Sequence, residues 1–536
     1  MSASRSIRIV VLLSLFLSSS GGLGAEQYKK IARDCLSDIV DGKYDAAIRS
    51  GEGYLKDHPQ DLESFYVLAI AYARKGEIET SVSYVKKAVA GGLPFERFQA
   101  GPRDLLQPLY ESDAFKALAV RHGKELLHGP LLGCVTTDSA KFWVRTAHET
   151  PVRVNVKAAS TDAGRAVTAA GKTRQESDFT TVLAVNGLQP ATRYEYTLHV
   201  QGETTPVKGQ FATFPPEGKP AKITVGFGGG AGYTPQYEHM WNTVASWKPT
   251  AFLFLGDNVY IDNPTRRAVQ QYCYYRRQSR PEYRSFVAGV PIFAIWDDHD
   301  FTVNDGWGGP DIDEPEWKIP VWRTYRNNWN NPYYGGGEKQ PGCWFDFSIA
   351  DVDFFMLDGR YYRVKGRRQG VEVDNPSMLG RAQKKWLFEK LRNAKGTFKV
   401  LASPVPWAPG AKPGKAGMDT WEGFKEERDE IFAFLARHKI DGVILISADR
   451  HRSDAWKIER PSGYPLYEFE SSRLTNIHTH GIMPGSLFGY NKKCSFGLLS
   501  FDTTASDPTV TYRVINIDSA VMHTLVVRKS QLTHDN

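Results

Sequence analysis

Cysteine is scarce in this chain of 536 residues, and the few cysteines follow no recognisable spacing. They are scattered and odd in number, and no Cys-x-x-Cys pair occurs among Cys35, Cys134, Cys273, Cys343 and Cys494. This pattern excludes a disulfide framework and argues against a zinc–thiolate site. An oxidising compartment would still allow one pair in the C-terminal half to bridge, and the sequence leaves the choice of pair open.

Long apolar runs and concentrated basic tracts are also missing. Beyond the N-terminal region no segment is long and apolar enough for a bilayer span, so we expect no transmembrane helix after signal cleavage. The net charge of +7 is spread over the chain, so it gives only weak support for nucleic-acid binding, and no nucleic-acid-binding module is evident. The same mild excess would suit an exported protein that meets phosphate-rich substrates or an anionic cell surface.

The N-terminus carries a targeting pattern. Arg5 and Arg8 precede an apolar run at 9–17, and small residues follow up to Ala25. This order is typical of a secretory signal, here residues 1–25, and no twin-arginine pair is present. We therefore expect Sec-type export to the periplasm or the cell exterior. An uncleaved membrane anchor is the alternative, because Leu23 suits position −3 of a cleavage site poorly.

The rest of the chain divides into four parts by pattern. Residues 26–125 read as helices, with Gly42 and Gly76 separated by 34 residues, the period of a tetratricopeptide repeat. A generic helical hairpin is the alternative, and either form is a possible docking site for a protein partner. Residues 129–215 alternate like strands, and the Tyr194 region resembles the tyrosine corner of a fibronectin type III-like sandwich. Residues 517–536 are a polar C-terminal tail.

Between 221 and 516, strands and helices alternate, which indicates a layered α/β domain. The expected strands are 223–227, 251–255, 292–296, 354–357, 399–402 and 443–446. The expected helices are 239–247, 381–393 and 425–438.

Three of these strands end in polar side chains that bind metals well. The strand at 251–255 leads to Asp257 and Tyr260, the strand at 292–296 leads to Asp298, and the strand at 443–446 leads to Asp449 and His451. In α/β sheets, sites form where strands end at their carboxyl edge. We therefore predict one polynuclear metal site with these five residues as ligands, and Asp257 as the carboxylate that bridges two cations.

Further side chains near these strand ends have predicted roles in catalysis and substrate binding. Asn258 supplies a neutral oxygen, and His299 is a candidate acid or phosphate contact. Arg360 and Arg363, after the strand at 354–357, are able to clamp a phosphoryl group. Pairing with Asp358 to hold the loop is the alternative for these arginines. We interpret His478 and His480 as structural.

The motifs, in their order, resemble the PhoD-like metallophosphatases, the alkaline phosphatase D family. They are Gly-Asp-Asn-Val-Tyr at 256–260, Trp-Asp-Asp-His-Asp at 296–300, Leu-Asp-Gly-Arg-Tyr-Tyr-Arg at 357–363, Trp-Glu-Gly-Phe at 421–424, Ser-Ala-Asp-Arg-His at 447–451 and Phe-Glu-Ser-Ser-Arg-Leu-Thr at 469–475. The resemblance covers about residues 129–516. It implies a calcineurin-like metallophosphoesterase domain of two packed mixed sheets flanked by helices, behind an all-β sandwich. It also implies hydrolysis of phosphate mono- or diesters by a metal-activated hydroxide.

The resemblance also implies a cluster of ferric iron and calcium, with Tyr260 as the iron ligand. One position departs from the family: Gly230 stands where a cysteine would bind iron. This change argues against iron, whereas Tyr260 argues for it. The glycine loop at 228–232 would instead bring backbone amides close to a phosphate, and no Gly-Lys-Ser/Thr follows to make it a Walker loop.

Two other functions fit parts of the pattern. A purple-acid-phosphatase-like enzyme shares Gly-Asp-x-x-Tyr and a sandwich, but the Asp298-His299 pair and the lack of Gly-His-x-His argue against it. A catalytically dead binding protein would use the helical segment and the sandwich, with Gly230 as the mark of the lost site.

Overall fold

The computed structural model describes residues 20–160, 166–365, 367–368, 371–372 and 376–534, and the side chains of 30–160, 166–365 and 376–534. The predicted signal sequence, residues 1–25, lies outside these residues except for its last six. Across the described parts of the chain, no helix combines the length and the apolar character that a membrane crossing requires.

The N-terminal segment is helical, as predicted. Its helices are α1 (Ser20–Val40), α2 (Tyr44–Asp57), α3 (Leu62–Lys75), α4 (Ile78–Ala90), α5 (Glu96–Ala100), α6 (Arg103–Tyr110) and α7 (Asp113–His122). Asp61 caps α3 by accepting a hydrogen bond from the Ser64 amide at 2.8 Å, and Gly76 ends it with φ +88°. The helices thus follow local signals, while their assignment to the tetratricopeptide class stays a prediction.

The seven strands of the next segment are β1 (Leu126–Gly133), β2 (Ser139–Thr146), β3 (Pro151–Ala158), β4 (Val167–Lys172), β5 (Thr180–Asn186), β6 (Arg193–Val200) and β7 (Val207–Ala212). Four form a separate sheet of order β4-β3-β6-β7, and the other three continue the large sheet of the α/β region. The Tyr194 hydroxyl accepts a hydrogen bond from the Gln189 amide at 2.7 Å, the contact expected of a tyrosine corner. The fibronectin type III class stays a prediction.

The remaining helices and strands alternate along the chain. The helices are α8 (Met240–Ser246), α9 (Arg267–Gln278), α10 (Pro281–Gly289), α11 (Asp298–Phe301), α12 (Lys318–Asn328), α13 (Gly380–Asn393) and α14 (Lys425–Arg437). The strands are β8 (Lys222–Gly228), β9 (Ala251–Leu255), β10 (Ile292–Ile295), β11 (Phe345–Ile349), β12 (Val352–Met356), β13 (Arg367–Arg368), β14 (Val371–Glu372), β15 (Phe398–Ala402), β16 (Val443–Ser447), β17 (Ser453–Ile458), β18 (Leu466–Ser471), β19 (Phe488–Tyr490), β20 (Ser495–Asp502), β21 (Thr509–Asn516) and β22 (Val521–Arg528).

Two large mixed sheets carry this region. One has the order β22-β21-β20-β8-β9-β10-β1-β2-β5, and the other has the order β11-β12-β15-β16-β18-β17-β19. Strands β8, β9 and β10 are parallel neighbours in the first sheet, and β15, β16 and β18 are parallel neighbours in the second. Helices cover the sheets, so β9, β10 and β16 are fully buried, as near-continuous apolar strands should be.

Two features differ from the sequence-based division. β1 pairs with β10, so the first large sheet runs across the predicted boundary between the sandwich and the α/β domain. Residues assigned to a polar tail instead form β22, which pairs with β21 at the sheet edge. Only one side chain of β22, that of Val527, is buried, so its sequence carries little of the alternation that marks a strand.

Candidate metal centre

The predicted strand ends meet in one place. Asp257 follows β9, Asp298 follows β10, and Asp449 and His451 follow β16. The β8 and β18 ends join the two sheets there through an isolated bridge between Gly229 and Ser472. A cavity of about 530 Å³ opens at this junction, with Asp257, Tyr260, His299, Asp449 and His451 among its lining residues.

Three of the predicted ligands converge within hydrogen-bonding distance. The Tyr260 hydroxyl donates to Asp257 Oδ2 at 2.9 Å and lies 2.8 Å from His451 Nε2. The Asn476 amide donates to the same hydroxyl at 2.7 Å. His451 Nε2 lies 3.8 Å from Asp257 Oδ2. A carboxylate and a phenol from the loop after β9 and an imidazole from the loop after β16 therefore point at one locus.

The backbone at these residues is held in an unusual conformation. Asp257, Tyr260, Asp449 and His451 have φ values of 55°, 49°, 70° and 50°. Residues with a side chain rarely adopt this left-handed region because Cβ crowds the following carbonyl oxygen. Each such residue costs on the order of 1–3 kcal/mol, and such strain concentrates at functional sites. Four of the five predicted ligands share this feature, which supports a site rather than ordinary loop structure.

Buried atoms without partners test whether the site fits cations. Among the described residues, Asp257 Oδ1, Asn258 Oδ1, Asp297 Oδ2 and His451 Nδ1 are buried and accept or donate no hydrogen bond. Buried polar atoms are normally satisfied, since an unsatisfied one costs about 1–3 kcal/mol. Burial raises the pKa of Asp257 well above its usual range, and Asp298 adds to this shift. A cation would satisfy these oxygens and neutralise their mutual repulsion, so the residues fit a metal centre.

His299 packs beside the converging ligands. Its ring stacks on Tyr260 with centroids 4.5 Å apart, and its Nδ1 is hydrogen-bonded to the Asp262 carboxylate. Burial alone would lower the pKa of His299, but Asp298, Asp257 and Asp262 outweigh it and raise the pKa well above its usual range. Ligand atoms of Asp257, Asp298 and His299 all lie within 4.8 Å of one another. Asp262 therefore orients the imidazole at the edge of the site.

A second acidic cluster shares Asp298. Carboxylate oxygens of Asp298, Asp305 and Asp419 lie within 4.8 Å of one another. Asp419 also pairs with Arg360 at 2.9 Å and with Arg363 at 2.6 Å. Burial alone would raise the pKa of Asp419, but these two arginines outweigh it and hold the pKa well below its usual range. The cluster therefore offers only oxygen donors, and Arg360 and Arg363 neutralise part of its negative charge.

The structure does not bring Arg360 and Arg363 to the cavity surface. Both side chains are fully buried. Arg360 donates to Asp297 Oδ1 at 2.5 Å and to both oxygens of Asp419, and Arg363 donates to Asp419 and to backbone oxygens. The direct phosphate clamp predicted for them does not fit this placement, because their donors already bind carboxylates, backbone carbonyls and the Met378 sulfur. Asp358 binds the Arg360 backbone amide at 2.8 Å, so it holds the loop.

The other predicted site residues lie at or near the cavity. Asn258 is buried, and its amide donates to the Ile295 carbonyl at 2.9 Å and to Asp300. Its side-chain nitrogen is thereby occupied, which leaves its oxygen for a ligand. Asp449 lines the cavity; burial alone would raise its pKa, but Lys412 and Arg450 outweigh it and lower the pKa to about 2.

Gly230 lies against His451 in the loop after β8. Its φ is +66°, and a Cβ there would stand 2.8 Å from the Arg473 amide nitrogen and 3.2 Å from His451 Cδ2. The Ala231 amide donates to the Asp257 carbonyl at 2.8 Å. The loop thus packs tightly beneath two predicted ligands, and this position has no room for a side chain without movement.

We expect Gly230→Ala to destabilise the protein by roughly 1–3 kcal/mol and to lower its metal content, because the new methyl group would push on His451. Thermal unfolding and elemental analysis of the purified variant measure the two effects. Gly53→Ala is the matched control, since a Cβ at this exposed position in α2 meets nothing within 4 Å. Equal metal content in Gly230→Ala and the unaltered protein would contradict the expectation.

Several residues at the site were missed from sequence or assigned another role. His478 and His480, interpreted as structural, line the cavity, and their ring centroids lie 5.4 and 5.5 Å from that of His451. Asp262 and Asn476 stand in loops without a motif that would mark them. The three histidines could have indicated a shared site. His451 precedes β17, however, whereas His478 and His480 follow β18, so the sequence does not show that they lie together.

Comparisons with known proteins agree with this geometry. The sequence profile described as PhoD-like phosphatase matches residues 225–492, half of the chain, and residues 123–217 match a domain of unknown function, DUF7800. Alkaline phosphatase D of Bacillus subtilis (strain 168) is 24% identical over 314 residues, which are 50% of this chain and 52% of that protein. The chain therefore matches only about half the length of this curated relative.

Two solved structures share the fold. The structure of PhoD superposes with a TM-score of 0.63 at 18% identity, over 76% of this chain and 91% of that one. Purple acid phosphatase PPD1 from yellow lupin (Lupinus luteus) seeds superposes with a TM-score of 0.55 at 12% identity, over 75% of each chain. These likenesses concern the architecture, while the profile match covers the motifs that carry the site. This chain belongs to the PhoD-like phosphatase family.

Proposed function

We propose that the protein is an exported, metal-dependent phosphoesterase that hydrolyses phosphate mono- or diesters. The observation that carries this proposal is the convergence of Asp257, Tyr260 and His451, with buried oxygens that lack a partner among the described residues. Family membership and the alkaline phosphatase D relative support the same reaction class. The signal-like N-terminus supports export.

We infer that the donors divide into two kinds of subsite. Asp257, Tyr260 and His451 offer oxygen and imidazole donors, which suit a transition metal such as iron. Asp298 lies between this set and the all-oxygen cluster with Asp305, which suits a harder cation such as calcium. Asp449 completes the ligand set from the cavity wall. Bound metals would lower the pKa of water and stabilise charge on the phosphoryl oxygens.

The chain's own residues would orient the reactants. Asp262 is hydrogen-bonded to His299 Nδ1, and the opposite ring nitrogen would give a proton to the oxygen of the leaving alcohol. Asn258 and the glycine loop at Gly230 would contact the phosphate through neutral polar groups. Arg360 and Arg363 would act on the site by holding Asp297 and Asp419 in place, rather than by touching substrate.

The finer domain assignments belong to this proposal as well. We infer that the helical module is tetratricopeptide-like, because α2 and α4 begin 34 residues apart at Tyr44 and Ile78. The sandwich is inferred to be fibronectin type III-like because of its strand arrangement and tyrosine corner. A protein partner for the helical module is part of the same inference.

Chelation tests the proposed function directly. Treating the purified protein with a strong chelator should lower the hydrolysis of 4-nitrophenyl phosphate and bis(4-nitrophenyl) phosphate at least about a hundredfold, because the metals stabilise the transition-state charge by several kcal/mol. Adding back ferric iron and calcium, singly and together, should restore the rate and identify the metals. Iron bound through Tyr260 should also give a purple colour.

Two outcomes would favour other functions. A protein that binds metals but hydrolyses neither ester would favour the binding-protein alternative, which Gly230 in place of a cysteine suggests. Full activity after complete metal removal would contradict the proposal. A purple-acid-phosphatase-like enzyme, which the lupin likeness fits only loosely, would be active in acid rather than at alkaline pH.

A further inference from the structure

The N-terminal helix α1 forms one wall of the active-site cavity. Lys30 and Arg33 of α1 line the same 530 Å³ cavity as Asp257 and Tyr260. A second cavity of about 420 Å³ lies between α1 and the loop after β9. The two cavities share Lys30, Arg33, Asp262, His299 and Asn304. Space therefore continues from the proposed ligands, past His299, to the surface of α1.

Polar contacts fix α1 in this position. Arg33 donates to the carbonyl oxygens of Tyr260 at 2.6 Å and Ile261 at 3.2 Å, and it pairs with the Asp262 carboxylate. Directly after the end of α1, Asp41 pairs with Arg266 at 2.9 Å. The helix is thus attached to the loop that carries a proposed metal ligand, and its other side chains keep a defined distance from the site.

The basic side chains around the cavity differ in whether a carboxylate pairs with them. Arg33 faces Asp262, Lys412 lies 3.3 Å from Asp305, and Arg450 lies 3.4 Å from Asp449. Lys30 is exposed at the rim of the cavity that the site residues line, and it forms no ion pair with any described side chain. Asp34 lies one turn along α1. Burial raises the pKa of its carboxyl group and the charge of Lys30 opposes this shift, but the two side chains form no ion pair. Lys30 thus offers an ammonium group to whatever occupies the cavity.

We propose that the substrate carries a second anionic group besides the scissile phosphate ester, and that Lys30 binds this group at the α1 wall. The inference rests on the proposed function and names the substrate class of the same site. The second cavity provides the room for the organic part that links the two groups. Asn304 lines it and supplies a neutral hydrogen-bonding group. The helical module would therefore select substrates, in addition to any role in docking a partner.

A matched pair of substrates tests this inference. The kcat/KM for phosphate release is measured with propane-1,3-diol bisphosphate and with propane-1,3-diol monophosphate. Two equivalent phosphates alone give a ratio of two. A single ion pair with Lys30 adds roughly a further two- to fivefold, so we expect a ratio of about four to ten. Lys30→Ala should return the ratio to about two, and Lys30→Glu should lower it further.

Taking the ratio within each variant cancels any general change in activity. Lys56→Ala is the matched control, because Lys56 is an exposed lysine of α2 that lines neither cavity. A second measurement reports binding without hydrolysis. Calorimetry gives the Kd of propane-1,3-diyl bisphosphonate and that of propylphosphonate, and the two values are compared. The preference for the bisphosphonate should depend on Lys30 in the same way.

The outcomes separate this inference from the proposed function. A ratio of two in the unaltered protein, or an unchanged ratio in Lys30→Ala, overturns the inference while the function stands. Lys30-dependent binding of the bisphosphonate by a protein that hydrolyses neither these monoesters nor bis(4-nitrophenyl) phosphate supports the anion site and overturns the proposed function. Absence of bisphosphonate binding together with absence of hydrolysis of all these esters overturns both.

Discussion

Replacing Asp257 by asparagine should lower phosphoester hydrolysis roughly a thousandfold or more while the fold stays intact. Among Asp257, Tyr260 and His451, only Asp257 is a carboxylate, and the charge of a bridging carboxylate holds cations that contribute several kcal/mol to catalysis. Asparagine keeps the size and one oxygen but removes this charge. Steady-state hydrolysis of 4-nitrophenyl phosphate, with elemental analysis of the same sample, measures the loss.

Although Asp257→Asn should lose activity, its metal-free form should be at least as stable as the metal-free unaltered protein. Burial raises the pKa of Asp257 because the charged form is poorly solvated there, and Asp298, Asp297 and Asp300 add repulsion. An amide avoids both penalties, so the metal-free Asp257→Asn protein should unfold at the same temperature as the unaltered protein or higher. Added cations should then raise its unfolding temperature less than they raise that of the unaltered protein.

Asp502→Asn provides the control for this experiment. Asp502 is a carboxylate at the end of β20 whose ion pair with Lys222 at 2.9 Å lies on the surface, so its loss should leave turnover and metal content unchanged. Unaltered kcat/KM in Asp257→Asn would contradict the proposed centre. A metal-free variant that unfolds at a much lower temperature would instead show that Asp257 serves the fold.

The sequence places the candidate ligands at strand ends because the signals for those strand ends are local. Asp257, Asp298 and His451 each follow a buried apolar strand, and parallel order of β8, β9 and β10 brings such ends to one edge. The predicted strands in the α/β region agree with the structure to within a few residues, since short apolar runs between turn residues define them. Short apolar runs in the sequence thus predict the strand ends at which the candidate site lies.

What the sequence does not predict depends on contacts between distant segments. Asp419 reaches Arg360 and Arg363 across 59 and 56 residues, and no periodicity links these positions. Arg33 reaches Asp262 across 229 residues from a segment that was interpreted only as a docking module. The packing of helices and strands against each other determines which charged side chains form pairs. A single sequence does not predict these pairs.

The role of Arg360 illustrates this limit and leads to a second large effect. An arginine beside a predicted site suggests a phosphate clamp, yet its guanidinium group is buried with Asp297, Asp419 and, at 3.8 Å, Asp298. Asp419 also lies within 4 Å of Arg363, Lys365 and Lys412. Among the described side chains, Asp297 forms an ion pair with Arg360 alone. Removing one member of a buried ion-pair network leaves the others uncompensated, which typically costs about 3–5 kcal/mol.

Arg360→Gln should accordingly lower the free energy of unfolding by about 3–5 kcal/mol, measured by urea denaturation of the metal-free protein. Arg326→Gln is the matched control, because Arg326 forms an exposed pair with Glu338 at 2.6 Å, whose loss should cost at most about 1 kcal/mol. If Arg360→Gln instead kept its stability and raised only the KM for phosphate esters, the guanidinium group would have to contact substrate. Such a result would restore the phosphate clamp and would require the acidic cluster to be held by the bound metals alone.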